Sequence, residues 1–114
     1  MMNKYSGSAR IGVLLIWIVN ILLICGCRDD ETLMKRGYKA YQEGQYDKAI
    51  QYFTTILSTN PSNTKAYLGR GNSWAEKKDF VKALENYNKL IEIDPLSAHG
   101  YYARGYVWSE IGDA

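Results

Sequence analysis

The 114-residue sequence predicts an all-α fold, a solenoid of stacked helix–turn–helix hairpins, from three observations. First, the chain overlays itself at a shift of about 34 residues, which indicates a repeat architecture. Second, the chain has only 2 prolines and little of the apolar–polar alternation of half-buried strands. Third, apolar residues recur at helical spacing: in residues 83–91 they form one face, opposite a charged and amide-bearing face.

The repeat is defined by residues that coincide at this shift. The sets are Gly37, Gly71 and Gly105; Arg36, Arg70 and Arg104; Ala49 and Ala83; Phe53 and Tyr87; Pro61 and Pro95; and Trp74 and Trp108, with Ala40 in the first copy. Asp29, Asn63 and Ser97 also fall in phase, and each is a residue type that caps helix N-termini. The in-phase glycines and alanines predict close approach of paired helices.

Local signals divide the repeat into elements. Asn60-Pro61 and Asp94-Pro95 end helices, because the residue before proline is disfavoured in the α region. Gly44-Gln45 and Lys78-Asp79 mark turns within hairpins. Helices are predicted at 30–43, 47–59, 64–77, 81–93 and 98–111. Tyr67, Trp74 and Tyr87 are spaced to fill the gaps between them.

The period and residue types resemble the tetratricopeptide repeat (TPR) family. The family pattern places a large residue, glycine and an aromatic in the first helix, then alanine, an aromatic and alanine in the second, followed by proline. The resemblance assigns a TPR domain to 30–114, with repeat 1 at 30–63, repeat 2 at 64–97 and a partial repeat 3 at 98–114. Ala40 replaces an aromatic, and Ile56 and Leu90 replace the last small residue; these departures concern packing detail.

Residues 1–27 form a separate segment, predicted to be an export signal. A polar start with Lys4 and Arg10 precedes an apolar stretch from Ile11 to Ile24 and a polar boundary. Ile24-Cys25-Gly26-Cys27 resembles a bacterial lipobox, which makes Cys27 the predicted lipidation site. The alternative is an uncleaved membrane anchor, although the apolar stretch is at the lower limit of a bilayer span.

Both interpretations tether the domain to a membrane of the bacterial cell envelope. Arg28 follows the predicted lipidated cysteine, where an aspartate would resemble an inner-membrane retention signal. The outer membrane is therefore weakly favoured over the inner.

The resemblance implies a partner, because TPR arrays bind a peptide or a helix in the groove lined by their first helices. By position in the repeat, the groove residues are Met34, Lys35, Tyr38, Tyr41, Gln42, Lys65, Leu68, Asn72, Glu76, His99, Tyr102, Tyr106 and Glu110. The set is rich in tyrosine, which offers a large contact area with a polar tip. The alternative is that these residues are solvated and have no dedicated ligand.

One specialised TPR ligand is not expected. Chaperone-binding TPR domains clamp a C-terminal carboxylate with lysine, asparagine and arginine at set positions. The matching positions here hold Met34, Tyr38, Gly69, His99 and Ala103, so the clamp is absent.

Charge and residue types argue against other functions. Lys4 and Arg10 are the only charged residues before Arg28 and account for the net charge of +2, so the remainder is neutral and nucleic acid is not an expected partner. His99 is the only histidine, and no cluster has metal-ligand spacing. No enzyme activity, metal or cofactor is expected. The in-phase arginines are interpreted as packed stems with local ion pairs.

The third repeat stops after its first helix, so Tyr101 and Trp108 lack the partner helix that should cover them. Either the last helix caps the solenoid, or the chain is a truncated product, which is slightly favoured. Marginal stability or self-association through Tyr101, Trp108 and Ile111 is expected. Three roles stay open: a tethered interaction module, a structural remnant without a ligand, and a non-catalytic adaptor of an envelope enzyme system.

Overall fold

The computed structural model describes the backbone of residues 6–113 and the side chains of residues 12–20 and 29–113. The helices of this described part are α1 (Ser6–Gln42), α2 (Tyr46–Thr59), α3 (Thr64–Glu76), α4 (Phe80–Ile93) and α5 (Ala98–Gly112), and it contains no strand. The all-α prediction is therefore confirmed. The chain divides into two compact units, Met1–Glu31 and Thr32–Ala114, which are described separately below.

The predicted helix limits hold for α2 to α5 and fail for the start of α1. Each limit of the later helices lies within one residue of its prediction. The first helix was expected to begin at residue 30, but α1 begins at Ser6, so Asp29 lies inside a helix and cannot be its N-cap. No proline occurs before Pro61, and nothing in the local sequence forces a new helix to start at Asp29.

Side-chain caps fix the starts of the later helices. The Asn63 side-chain oxygen accepts a hydrogen bond from the backbone N–H of Ala66 at 3.0 Å, and the Ser97 hydroxyl accepts one from Gly100 at 3.1 Å. Both satisfy a donor that the first helical turn leaves without a partner, as predicted. Asp79 caps α4 in the same way through the backbone N–H of Lys82.

The turns inside the first two hairpins have the same backbone geometry. Gly44 and Lys78, one repeat apart, both have positive φ, at 75° and 64°. After α1, the Gln45 N–H donates to the Ala40 carbonyl at 2.8 Å, and Asp79 donates to Trp74 in the equivalent bond at 3.0 Å. This is the Schellman ending, which satisfies the last carbonyls of a helix and reverses the chain within a few residues.

The core of the second unit lies between the hairpins, where aromatic rings rest on glycines. The Phe53 ring is fully buried, and a Cβ atom added at Gly37 or Gly69 would lie 2.8 or 2.4 Å from it. At Gly71 an added Cβ would lie 2.6 Å from the Tyr87 ring. Such distances are below van der Waals contact, so the predicted close approach is confirmed at Gly37 and Gly71.

The in-phase glycine of α5 behaves differently. A Cβ atom added at Gly105 would meet nothing within 4 Å, so the prediction of close approach is wrong there. No helix among the described residues packs on this face of α5. Tyr101 and Trp108 are accordingly 46% and 58% exposed, whereas Tyr67, the repeat equivalent of Tyr101, is 8% exposed.

The in-phase arginines bind neutral oxygens, so the predicted ion pairs are wrong where the structure gives partners. Arg70 donates from Nε to the Asn86 side-chain oxygen at 2.7 Å, and Arg104 donates from Nη1 to Asn88 at 3.1 Å. Both guanidinium groups also lie over a tyrosine ring three residues earlier, at 5.6 and 5.2 Å from the centroid. The arginine stem packs as expected, but amides replace carboxylates as its partners.

The first unit contains a run of exposed apolar side chains. Every residue from Val13 to Val19 is at least half exposed. Within the described residues, no helix has both the length and the hydropathy that a membrane span needs.

Alanine at two equivalent glycines is expected to change stability in opposite directions. Gly71→Ala drives a methyl group into Tyr87 and should lower the free energy of unfolding by about 1–3 kcal/mol. Gly105→Ala has open space and should raise it by about 0.5–1 kcal/mol, because alanine is the better helix former. Urea unfolding of the full chain in mild detergent, followed by circular dichroism, measures both. Equal effects of the two substitutions would contradict the ring-on-glycine packing.

Candidate functional site

A pocket of about 390 Å³ opens on the face formed by α1, α3 and α5. These are the first helices of the successive repeats, and Tyr87 of α4 also lines the pocket. The lining residues are Tyr41 from α1, Leu68, Asn72, Ala75 and Glu76 from α3, Tyr87 from α4, and His99, Tyr102, Ala103 and Tyr106 from α5. Its size is within the range of ligand-binding clefts.

The structure gathers part of the predicted groove into this pocket. The predicted residues that line it are Tyr41, Leu68, Asn72, Glu76, His99, Tyr102 and Tyr106. Those predicted for the same groove but outside the pocket are Met34, Lys35, Tyr38, Gln42, Lys65 and Glu110. The pocket therefore lies between the second hairpin and α5, and Tyr41 near the end of α1 also reaches it.

Burial explains the position of two residues outside the pocket. Met34 and Tyr38 are half-buried against the core, and the Tyr38 ring meets Phe53 edge-to-face at 5.4 Å between centroids. Tyr38 therefore serves mainly to cover Phe53. Its repeat equivalents Asn72 and Tyr106 line the pocket instead.

Tyr87, Ala75 and Ala103 line the pocket without having been predicted as groove residues. Tyr87 was interpreted as an interhelical filler, and its ring is indeed 2% exposed. A sequence signal existed, because Tyr87 carries a hydroxyl where the first repeat has Phe53, and a buried hydroxyl needs a hydrogen-bond partner.

That partner is Asn72. The Tyr87 hydroxyl donates to the Asn72 side-chain oxygen at 2.7 Å, which ties α4 to α3 at the floor of the pocket. Burial raises the pKa of Tyr87 well above its ordinary value, so the phenol stays a neutral donor. The Asn72 side-chain oxygen accepts this hydrogen bond, and the NH2 group of the same amide is the donor that Asn72 can offer to a ligand.

A second polar contact closes the side of the pocket. The Tyr41 hydroxyl donates to the Glu76 carboxylate at 3.4 Å, linking α1 to α3. The pKa of Tyr41 is raised, first by burial and then by the negative charge of Glu76. The Tyr41 ring also packs edge-to-face against Tyr46, at 5.6 Å between centroids. The Glu76 carboxylate is the only acidic group in the lining.

The pocket combines apolar walls with a few polar groups. It presents phenols, an amide, an imidazole and one carboxylate around apolar walls. Within the residues that the structure describes, no group of three or more His, Cys, Asp or Glu side chains could hold a metal ion. Cys27, the predicted lipidation site, lies outside the side chains that the structure describes.

Comparison with known proteins identifies the repeat family and the fold. Residues 34–98 match the family model described as Tetratricopeptide repeat. No curated protein sequence matches the chain.

Two solved structures resemble the chain in fold. The Arabidopsis OM64 TPR domain superposes with a TM-score of 0.73 at 24% identity, covering 77% of this chain and 73% of that one. The TPR2B domain of yeast Sti1, in a complex with pHsp70, gives a TM-score of 0.72 at 20% identity, covering 75% and 69%. At these identities the likeness concerns the fold alone, and it confirms the predicted solenoid.

The hydrogen bond between Tyr87 and Asn72 is expected to appear as a coupling energy. Tyr87→Phe and Asn72→Ala should each lower the free energy of unfolding, and the double variant should lose about 1 kcal/mol less than their sum. Urea unfolding of the full chain measures the cycle. As a control, Tyr87→Phe combined with Thr55→Ala, on the exposed face of α2, should be additive. Additivity of the Tyr87 and Asn72 effects would show that the bond contributes nothing.

Proposed function

Because this chain belongs to the tetratricopeptide repeat family, we propose that it is a membrane-tethered, non-catalytic scaffold that binds a peptide or protein segment in the tyrosine-lined pocket. One observation carries the proposal: the pocket between the second hairpin and α5 collects residues that their position in the repeat assigns to the binding groove. Tyrosine side chains suit this role, since they combine contact area with a polar tip and lose little conformational entropy.

The exposure of the lining side chains supports binding rather than packing. Tyr102 and Tyr106 are 79% and 52% exposed, so their rings are available to a ligand. The yeast Sti1 domain of similar fold is in a complex with pHsp70. A protein segment is therefore the class of ligand that we propose for this chain.

The residues of the pocket argue against a chaperone C-terminus as that segment. Gly69 is buried under the Phe53 ring, and Met34 and Tyr38 pack against the core. Ala103 has no polar atom beyond its backbone. Among the positions that match the carboxylate clamp, only His99 brings a polar side chain into the pocket, so the proposed ligand is not held through a terminal carboxylate.

We propose that the tether is a lipidated Cys27 in the bacterial cell envelope, with the outer membrane weakly favoured. The support is the lipobox-like Ile24-Cys25-Gly26-Cys27 and the run of exposed apolar side chains from Val13 to Val19. Exposed apolar side chains in such number are typical of a segment meant for an apolar environment. Such a scaffold would suit an adaptor of an envelope enzyme system, with catalysis left to its partner.

Self-association through Tyr101 and Trp108 stays a prediction. Both side chains are exposed beside the open Gly105, which leaves an apolar face on α5. A role as a structural remnant remains the alternative to ligand binding, and the next experiment distinguishes the two.

Loss of the pocket tyrosines is expected to abolish peptide binding. The test uses an array of immobilised random nonapeptides probed with the full chain in mild detergent. Tyr102→Ala with Tyr106→Ala should reduce total bound protein at least about tenfold, because tyrosine side chains often dominate such interfaces. Tyr101→Ala, on the same helix but outside the pocket, is the matched control and should bind as the wild type does. Absence of binding by the wild type, or equal binding by the double variant, would refute the proposal.

The tether is tested by lipid labelling. In a bacterial host supplied with radiolabelled palmitate, the wild-type chain should incorporate label, and Cys27→Ser should lose it because no thiol remains at the acceptor position. Cys25→Ser, two residues earlier, should keep the label. Labelling that survives Cys27→Ser would rule out lipidation at that residue.

A further inference from the structure

The charge of the pocket indicates the class of ligand side chain. Glu76 contributes the only carboxylate of the lining, and no lysine or arginine belongs to it. Within residues 12–20 and 29–113, Glu76 forms no ion pair, and its hydrogen-bond partner is the neutral Tyr41 hydroxyl at 3.4 Å. The lining therefore carries a negative charge that no cation of the described chain neutralises.

The nearest lysines in sequence are engaged elsewhere. Lys77 forms an ion pair with Asp47 and lies 5.0 Å from the ring centroid of Trp74. Lys78 pairs with Glu110 at 3.8 Å. Neither lysine lines the pocket, so a cation supplied by a ligand would find Glu76 available.

The aromatic lining suits one cation in particular. Tyr41, Tyr102 and Tyr106 line the same pocket as Glu76. Elsewhere in this chain, Arg70 and Arg104 each lie over a tyrosine ring while donating to a side-chain oxygen. A guanidinium group makes both contacts at once, because its flat face stacks on rings and its edge carries five N–H donors.

We propose that the pocket receives an arginine side chain of a partner peptide, with the guanidinium donating to Glu76 and lying against the pocket tyrosines. This inference rests on the proposed function, since it names the residue that the scaffold recognises. The volume of about 390 Å³ accommodates an extended arginine side chain. A glutamate or aspartate would instead meet the like charge of Glu76 and be disfavoured. Lysine is a weaker ligand, because an ammonium group lacks the flat face that stacks on tyrosine.

The test sorts nonapeptide arrays by their central residue. Arginine, glutamine or glutamate is fixed at position five, with all other positions random, and bound full chain is measured at pH 8, where histidine side chains in general are neutral. We expect the arginine array to bind about tenfold more protein than the glutamine array, and the glutamate array to bind least. Raising the salt from 50 to 500 mM should reduce the arginine preference, because Glu76 is exposed enough to be screened.

Two charge-neutralising variants test whether the preference for arginine depends on Glu76. Glu76→Gln keeps the shape of the side chain and should reduce the preference for arginine over glutamine, measured as the ratio of protein bound to the two arrays, about fivefold. Glu92→Gln, an exposed carboxylate of α4 outside the pocket, is the matched control and should leave the preference unchanged.

Each outcome has a defined consequence. Equal binding to the arginine and glutamine arrays, a preference for glutamate, or an arginine preference that survives Glu76→Gln would overturn the inference while the proposed function stands. No binding to any array would overturn the proposed function, and the inference with it.

Discussion

The stack of hairpins depends on aromatic rings that lie directly on glycine backbone. Phe53 fills the space between Gly37 and Gly69, and Tyr87 does the same over Gly71. A methyl group at any of these glycines would overlap a ring, so the spacing of the helices is set by the thickness of a ring. Protein interiors are too densely packed to absorb such an overlap without moving a helix. The rest of the second unit, including its pocket, follows from this spacing.

The same packing position also builds the pocket, because its second copy carries a hydroxyl. Phe53 meets the edge of Tyr38, whereas Tyr87 donates to Asn72 at the equivalent place. Asn72 stands in α3 where α1 has Tyr38, so a hydrogen bond replaces a contact between two aromatic rings. The smaller asparagine side chain leaves room in the pocket beside Tyr106. Repeats that are alike in their packing residues thus differ where a ligand would enter.

The charge of the pocket lining indicates a class of ligand that the shape of the pocket alone does not. Lys77 and Lys78, which follow Glu76 in sequence, form ion pairs with Asp47 and Glu110. The Glu76 carboxylate in the pocket lining therefore has no ion-pair partner among the described residues, although the net charge of the domain is close to zero. A neutral domain can therefore hold a charged site, and the sign of that site separates the proposed ligand from an acidic chain terminus. The run of exposed apolar side chains from Val13 to Val19 in the first unit is a second surface feature, separate in sequence from the pocket.

The sequence by itself determined the helix limits of α2 to α5, the caps at Asn63 and Ser97, and two of the glycines at which rings pack, Gly37 and Gly71. These features depend on near neighbours or on the repeat period, both of which are visible in a linear chain. It missed the start of α1, because a helix without proline need not stop where a repeat begins. Only the tertiary structure decided which groove residues share one pocket, that the Tyr87 hydroxyl reaches it, and that Arg70 and Arg104 bind amides rather than carboxylates. Those outcomes depend on the rotation of helices that are distant in sequence, which the repeat pattern does not specify.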